Sequence, residues 1–210
     1  MSNIYYQSEY WNQFPKSDLD IVAKDLNPTW DAEIQQYKEH TQIADSSLKI
    51  LKNDTSMKRV LDFGCGMGRN VNYLQSLCND VFGFDTEIMV SNLQKTQNFK
   101  YNYVDHNFEQ LGNYAPFDFI YECTVFQHMP PQEVLFRLMQ MQYLTKYVYI
   151  TTRCYNDMFR DFTNQKRGVN ILKLIDSLNI WEIVDCSIDK NIASSLMDDE
   201  THYSMLLKLK

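Results

Sequence analysis

No run of apolar residues in this 210-residue chain approaches the roughly 18 that a membrane-spanning helix needs, so no span is expected. The opening residues, MSNIYYQSEYWNQF, lack a basic start and an apolar stretch, and no secretory signal is expected from them. Glycine and proline are scarce, at 6 and 5 residues, which excludes a collagen-like or linker-like chain. No C-x-x-C occurs, and the cysteines (Cys65, Cys78, Cys123, Cys154 and Cys186) are odd in number at five. The four histidines, His40, His106, His128 and His202, are scattered, so no zinc or other metal site is expected. Reduced, mostly buried thiols in a cytoplasmic protein fit that pattern. Basic charge is also short: 20 Lys and Arg against 27 Asp and Glu leave a net charge of -7. Binding to nucleic-acid phosphates usually needs a basic face, so a nucleic-acid partner is disfavoured.

What is present is an alternation of short β-rich runs with helical stretches. Strands are expected at Lys58 to Phe63, Asp80 to Phe84, Phe99 to Val104, Phe117 to Glu122 and Tyr147 to Thr151. Helices are expected at Val71 to Cys78, Glu87 to Lys95 (with Ile88 and Leu93 inward), Pro131 to Tyr143 and Asn170 to Leu178. This rhythm predicts a parallel sheet covered on both faces, a three-layer α/β sandwich. The last two strands, Trp181 to Ile188 and His202 to Leu209, have no helix between them. Neighbours joined without a crossover run antiparallel, so a seven-stranded, mostly parallel sheet with one reversed strand near the C-terminus is expected. Residues 1–56 read as an N-terminal helical cap, with a helix from Thr29 to Leu51, on the 57–210 core of a single domain.

Three of the six glycines fall within five residues, Gly64-Cys65-Gly66-Met67-Gly68, between a strand and a helix. Such a turn tolerates positive φ and lets a ligand approach the backbone. A dinucleotide fingerprint would place its third glycine at position 69, where this chain has Arg69. The stretch VLDFGCGMGRN, Val60 to Asn70, instead resembles motif I of the class I, Rossmann-like S-adenosylmethionine-dependent methyltransferases. Asp85 stands at the tip of the second strand, seventeen residues after Gly68. Asp105 and His106 stand at the tip of the third, and the fourth begins with Phe117-Asp118, as in that family. Ligands of open α/β sheets bind at the carboxyl ends of the strands, where all these residues lie.

The resemblance implies the cofactor S-adenosyl-L-methionine, with S-adenosyl-L-homocysteine as product. It implies cofactor contacts from Asp62, Gly64, Gly66, Gly68, Asn70, Asp85, Thr86, Asp105, His106 and Glu122. Within it, Asp85 would accept the ribose hydroxyls and Asp105 the adenine amino group. Asp85 also suits the N-cap of a helix starting at Thr86 or Glu87. The expected reaction is an in-line methyl transfer, and an oxygen acceptor would need its proton removed. His128, after the fourth strand, is the candidate base and otherwise has a structural or acceptor-lining role. Tyr10, Trp11, Arg153 and Tyr155 are candidate substrate-binding residues, the latter two opening an aromatic and basic segment. Signatures of base amino-group or cytosine C5 methylation are missing. A small-molecule acceptor, a metabolite, sugar or lipid precursor methylated at oxygen, is therefore expected. A catalytically silent cofactor-binding partner and a protein or RNA methyltransferase stay open. The sequence leaves the oligomeric state open.

Overall fold

The computed structural model describes residues 42–95, 100–155, 169–188 and 200–210. Within them lie α1 (Asp45–Asp54), β1 (Arg59–Phe63), α2 (Val71–Leu77), β2 (Asp80–Phe84), α3 (Glu87–Gln94) and β3 (Tyr103–Asp105). Then follow β4 (Phe119–Cys123), α4 (Pro131–Met141), β5 (Tyr147–Tyr155), α5 (Ile171–Leu178), β6 (Trp181–Ile188) and β7 (Glu200–Leu209). The sheet order is β3-β2-β1-β4-β5-β7-β6. The β1–β2, β1–β4, β2–β3 and β4–β5 pairs are parallel, and β7 runs antiparallel to both β5 and β6. The single reversed strand is thus wedged between β5 and β6.

Alternation along the strands separates two cores. Leu61, Phe63, Phe82, Phe84, Ile120, Val148 and Ile150 face α4 and α5, packing against Val134, Leu138, Leu174 and Ile175. Val60, Val81, Phe119, Tyr121, Tyr147 and Tyr149 face the other way, onto Leu51, Val71, Leu74, Val90 and Leu93 of α1, α2 and α3. These two faces make the three-layer sandwich expected from the sequence.

Local chemistry explains the departures from expectation. The long helix Thr29 to Leu51 is not continuous: residues 42–44 are non-helical, and α1 starts at Asp45 and runs to Asp54. The amide of Ile43 donates to the Tyr73 hydroxyl at 2.8 Å and that of Ala44 to the Tyr149 hydroxyl at 3.1 Å. These bonds hold the segment off the helix, and the cap upstream of it lies outside the described residues. In α3 the inward residues are Met89, Val90 and Leu93, whereas Ile88 is 43% exposed. Leu93 is inward as expected, whereas Ile88 is not: Met89 and Val90, four and three residues before Leu93, share its face. Strand β3 begins only at Tyr103, because the Asn102 side chain takes the Val81 amide at 2.8 Å in place of a ladder bond. Strand β5 runs on to Tyr155 because β7 pairs with it along its whole length, from Tyr147↔Lys208 to Tyr155↔Glu200.

Asp118 holds the base of the sheet. Its carboxylate accepts the amides of Ser56 (3.0 Å), Lys58 (2.8 Å) and Arg59 (2.8 Å), and the Ser56 hydroxyl at 2.9 Å. Burial raises its pKa, but the bonds from Arg59, Ser56 and Lys58 outweigh this and leave it below the usual value of 3.8. A lowered folded pKa contributes stability above the unfolded value, lost as pH falls through the folded one. Asp118→Ala is expected to lower stability by about 2 kcal/mol at neutral pH. Denaturant melts at neutral and at strongly acidic pH check this, since the difference from wild type should shrink in acid.

Candidate active site

The turn after β1 is tied to the end of β2: the amides of Gly64 and Cys65 both donate to the Phe84 carbonyl, at 2.7 and 3.0 Å. Gly64, Gly66 and Gly68 have φ values of +78°, +51° and +85°. At Gly64 there is a second constraint, since a Cβ there would stand 2.1 Å from Val125 Cγ2. The loop after β4 therefore packs directly on the turn. Gly83 leaves space for the Cys65 thiol, 3.0 Å from where a Cβ would be. Asn70, buried, forms the N-cap position of α2.

The acids take distinct places around this turn. Asp85, half-buried, accepts the Gly66 amide (2.7 Å) on Oδ2 and the Thr86 amide (2.7 Å) on Oδ1. Burial raises its pKa, and these bonds pull it back in part. The N-cap of α3 is Thr86 rather than Asp85: the Thr86 hydroxyl accepts from the Met89 amide at 3.5 Å, while the Asp85 carboxylate is taken up by the Gly66 and Thr86 amides. Each carboxylate oxygen has two lone pairs, so Asp85 keeps acceptor capacity for a ligand. Asp105 accepts the Tyr103 hydroxyl at 2.5 Å and the Asn107 amide at 2.9 Å, and exposed His106 lies 3.5 Å away. Burial raises the Asp105 pKa, but Tyr103, Asn107 and His106 bring it below the ordinary value.

Asp62 is buried on the α2 face of β1. Its Oδ2 accepts the Tyr101 hydroxyl at 2.6 Å, and its Oδ1 is buried with no hydrogen-bond partner among the described residues. Burial pushes its pKa up to about 7, against the pull of Tyr101 and of the Arg69 guanidinium. Arg69 reaches across to β4, with Nη2 3.6 Å from the Cys123 thiol.

Beyond β4, Thr124 adopts φ +62° and a short 3-10 turn follows at Phe126–His128. Glu122 is fully buried, and its Oε1 accepts the amides of Val125 (2.5 Å) and Phe126 (2.8 Å). It lies behind the loop, among Phe63, Phe126 and Ile150, rather than on the loop's surface. Burial pushes its pKa up to about 8, while the amides of Phe126, Val125 and Thr151 pull it down. His128 is half-buried, and its Nε2 lies 3.1 Å from the Gln127 amide nitrogen.

The raised Glu122 pKa has a sign. An acid whose folded pKa exceeds its unfolded value supports folding fully below the unfolded value, 4.5, and loses that support as pH rises through about 8. Glu122→Gln removes the ionisation. The variant is expected to gain stability over wild type as pH rises from 5 to ~9, by on the order of a few kcal/mol. Thermal melts across that range measure it.

Tyr10 and Trp11 lie outside the described residues, as do the side chains of Arg153 and Tyr155, whose backbone closes β5. The structure gathers Gly64, Gly66, Asp62, Asp85 and Thr86 at the carboxyl ends of β1 and β2, Asp105 and His106 beyond β3, and His128 beyond β4. Tyr101, the partner of Asp62, and Val125, the wall on Gly64, were not singled out from the sequence. Nothing in sequence spacing marks them, because Tyr101 meets Asp62 from the segment before β3 and Val125 meets Gly64 from the loop after β4. Among the described residues no group of three or more His, Cys, Asp and Glu is placed to hold a metal ion. No helix among them is long and apolar enough to cross a membrane.

A parallel sheet with a final reversed strand, carrying a glycine turn and strand-tip acids at one edge, defines a methyltransferase-type domain. The chain matches the methyltransferase domain family over residues 35–179 and belongs to it. No curated protein matches it. Among solved structures it resembles magnesium protoporphyrin IX methyltransferase from Synechocystis PCC 6803 with bound S-adenosylhomocysteine. The TM-score is 0.62 at 16% identity, covering 96% of this chain and 97% of that one. A S-adenosylmethionine-dependent methyltransferase from Leishmania major gives 0.59 at 14% identity, covering 78% and 70%. The N-methyltransferase NodS from Bradyrhizobium japonicum WM9 gives 0.55 at 14%, covering 85% and 98%. The chain is thus a member of the methyltransferase domain family with a class I, Rossmann-like fold.

Proposed function

We propose that this methyltransferase modifies a small-molecule acceptor, at oxygen. The residues present fit the cofactor: the turn at Gly64 is held open by positive φ, and Asp62 Oδ1 beneath it is a buried acceptor in want of a donor. When bound, S-adenosylmethionine supplies a methyl group activated on a sulfonium. In this reading the Gly64–Gly68 backbone and Asn70 approach the amino-acid portion, and Asp62 accepts from its ammonium. Asp85 and Thr86 receive the ribose, and Asp105 and His106 the adenine.

The observation that carries the acceptor reading is His128, half-buried on the loop that packs against the glycine turn. In the tautomer protonated on Nδ1 its Nε2, which lies 3.1 Å from the Gln127 amide nitrogen, accepts, and an acceptor hydroxyl taking the place of that amide would lose its proton to it. The net charge of -7 disfavours a polyanionic acceptor. Buried thiols at Cys65, Cys78 and Cys123 support a reducing, cytoplasmic setting.

Incubation with methyl-labelled cofactor and a panel of hydroxyl, carboxyl and amine metabolites tests the proposal. Label is expected on an oxygen acceptor, with turnover in His128→Ala reduced by about 100-fold. Transfer only to amines, or an unaffected His128→Ala, contradicts it.

A further inference from the structure

Glu122 is a fully buried carboxyl on the α4 and α5 face of the sheet, in register with Phe63 of β1 and Ile150 of β5. An unpaired carboxylate in such a place is costly to keep. Its Oε1 takes two amides at once, those of Val125 and Phe126, where the 3-10 turn begins. These amides have no acceptor within their own turn, so Glu122 serves as their cap from inside the sheet. The residue between strand and cap is Thr124, held at φ +62°. The residue that the cap fixes is Val125, whose methyl group fills the space a Gly64 side chain would occupy. Strand β4, Glu122, Val125 and Gly64 thus form one continuous chain of contacts from the sheet interior to the glycine turn.

We propose that Glu122 is a positioning residue for the cofactor pocket: it fixes the Val125 wall against the Gly64 turn from behind, without itself touching the cofactor. This rests on the reading that the glycine turn holds the cofactor. The contact belongs to the geometry of one carboxyl oxygen, so a glutamine, which keeps a carbonyl oxygen there, should preserve it. An alanine leaves both amides without an acceptor and frees the loop.

Calorimetric titration with S-adenosylhomocysteine at pH 7 tests this on five forms of the full chain. Wild type binds. Glu122→Gln is expected to bind within about threefold of wild type, and Glu122→Ala to bind at least about tenfold more weakly, a change of about 1.4 kcal/mol. Val125→Ala, which removes the wall but leaves the cap, is expected to lose about fivefold. Leu138→Ala opens a cavity in the same core, on α4, and is expected to lower the melting temperature while leaving affinity within about twofold. A folded Glu122→Ala that binds like wild type overturns the proposal, as does Leu138→Ala weakening binding as much as Glu122→Ala. If Glu122→Ala does not fold, Val125→Ala carries the test, and wild-type affinity in it overturns the proposal. Absence of binding by the wild type is a different failure, that of the cofactor-site reading, and takes this inference with it.

Discussion

Replacing Gly64 with alanine is expected to weaken S-adenosylhomocysteine binding by about a hundredfold and to lower the melting temperature by roughly 10 °C. Two separate effects add. At φ +78° an L side chain meets the backbone unfavourably, at about 1–2 kcal/mol. The new Cβ would also lie 2.1 Å from Val125 Cγ2, and that branched side chain has no flexible end to move aside. Overpacking of this kind costs about 1–3 kcal/mol. The turn must open, the loop after β4 must retreat, or both, and either change alters the pocket. Gly112→Ala is the control, because nothing lies within 4 Å of a Cβ there. It is expected to match wild type in calorimetry and in thermal melts.

Asp85→Ala is expected to produce a loss of affinity of similar size by another route. The carboxylate organises the pocket before any ligand arrives, by accepting the Gly66 and Thr86 amides. Hydrogen bonds to a charged group contribute about 1.5–3 kcal/mol each. Truncation leaves both amides without that acceptor and removes the proposed ribose acceptor as well. Asp85→Asn keeps one carbonyl oxygen and should fall between alanine and wild type. Burial raises the Asp85 pKa, so protonation sets in above the ordinary aspartate range. Affinity in the wild type should therefore decline with acidification earlier than an exposed aspartate would allow, and the decline should be missing in Asp85→Asn. Titrations of the three proteins between pH 4 and ~8 measure both the size and the pH dependence.

How far the sequence could be read follows from the range of the interactions involved. The turn at Gly64 to Gly68, Asp85 at its strand tip and the reversed β7 are local patterns, set by backbone conformation, side-chain alternation and connection length. They were legible. The outward side of Ile88 was not, because Ile88, Met89 and Val90 are consecutive apolar residues and composition alone does not say which of them share the face of Leu93. Strand β3 looked longer because Asn102 substitutes its side chain for a ladder bond, which no alternation pattern reveals. The non-helical residues before α1 depend on hydroxyls of Tyr73 and Tyr149, 30 and 105 residues away. The same limit applies to the site. Glu122 could be placed at the end of β4, but the side of the sheet it faces emerges only from the pairing with β1 and β5. Val125 reads as an ordinary apolar loop residue until Gly64 is seen beneath it. Sequence reading named the turn glycines, Asp62, Asp85 and Glu122, and missed Tyr101 and Val125, which pack against them from elsewhere in the chain.

The central claim is that the turn between β1 and α2, with Asp85 beside it, forms the cofactor pocket. The most direct measurement is calorimetric titration of S-adenosylhomocysteine into the wild-type chain, which needs no knowledge of the acceptor. Saturable binding of one ligand per chain is predicted. No binding at about 1 mM ligand, an affinity weaker than about 4 kcal/mol, would contradict the account.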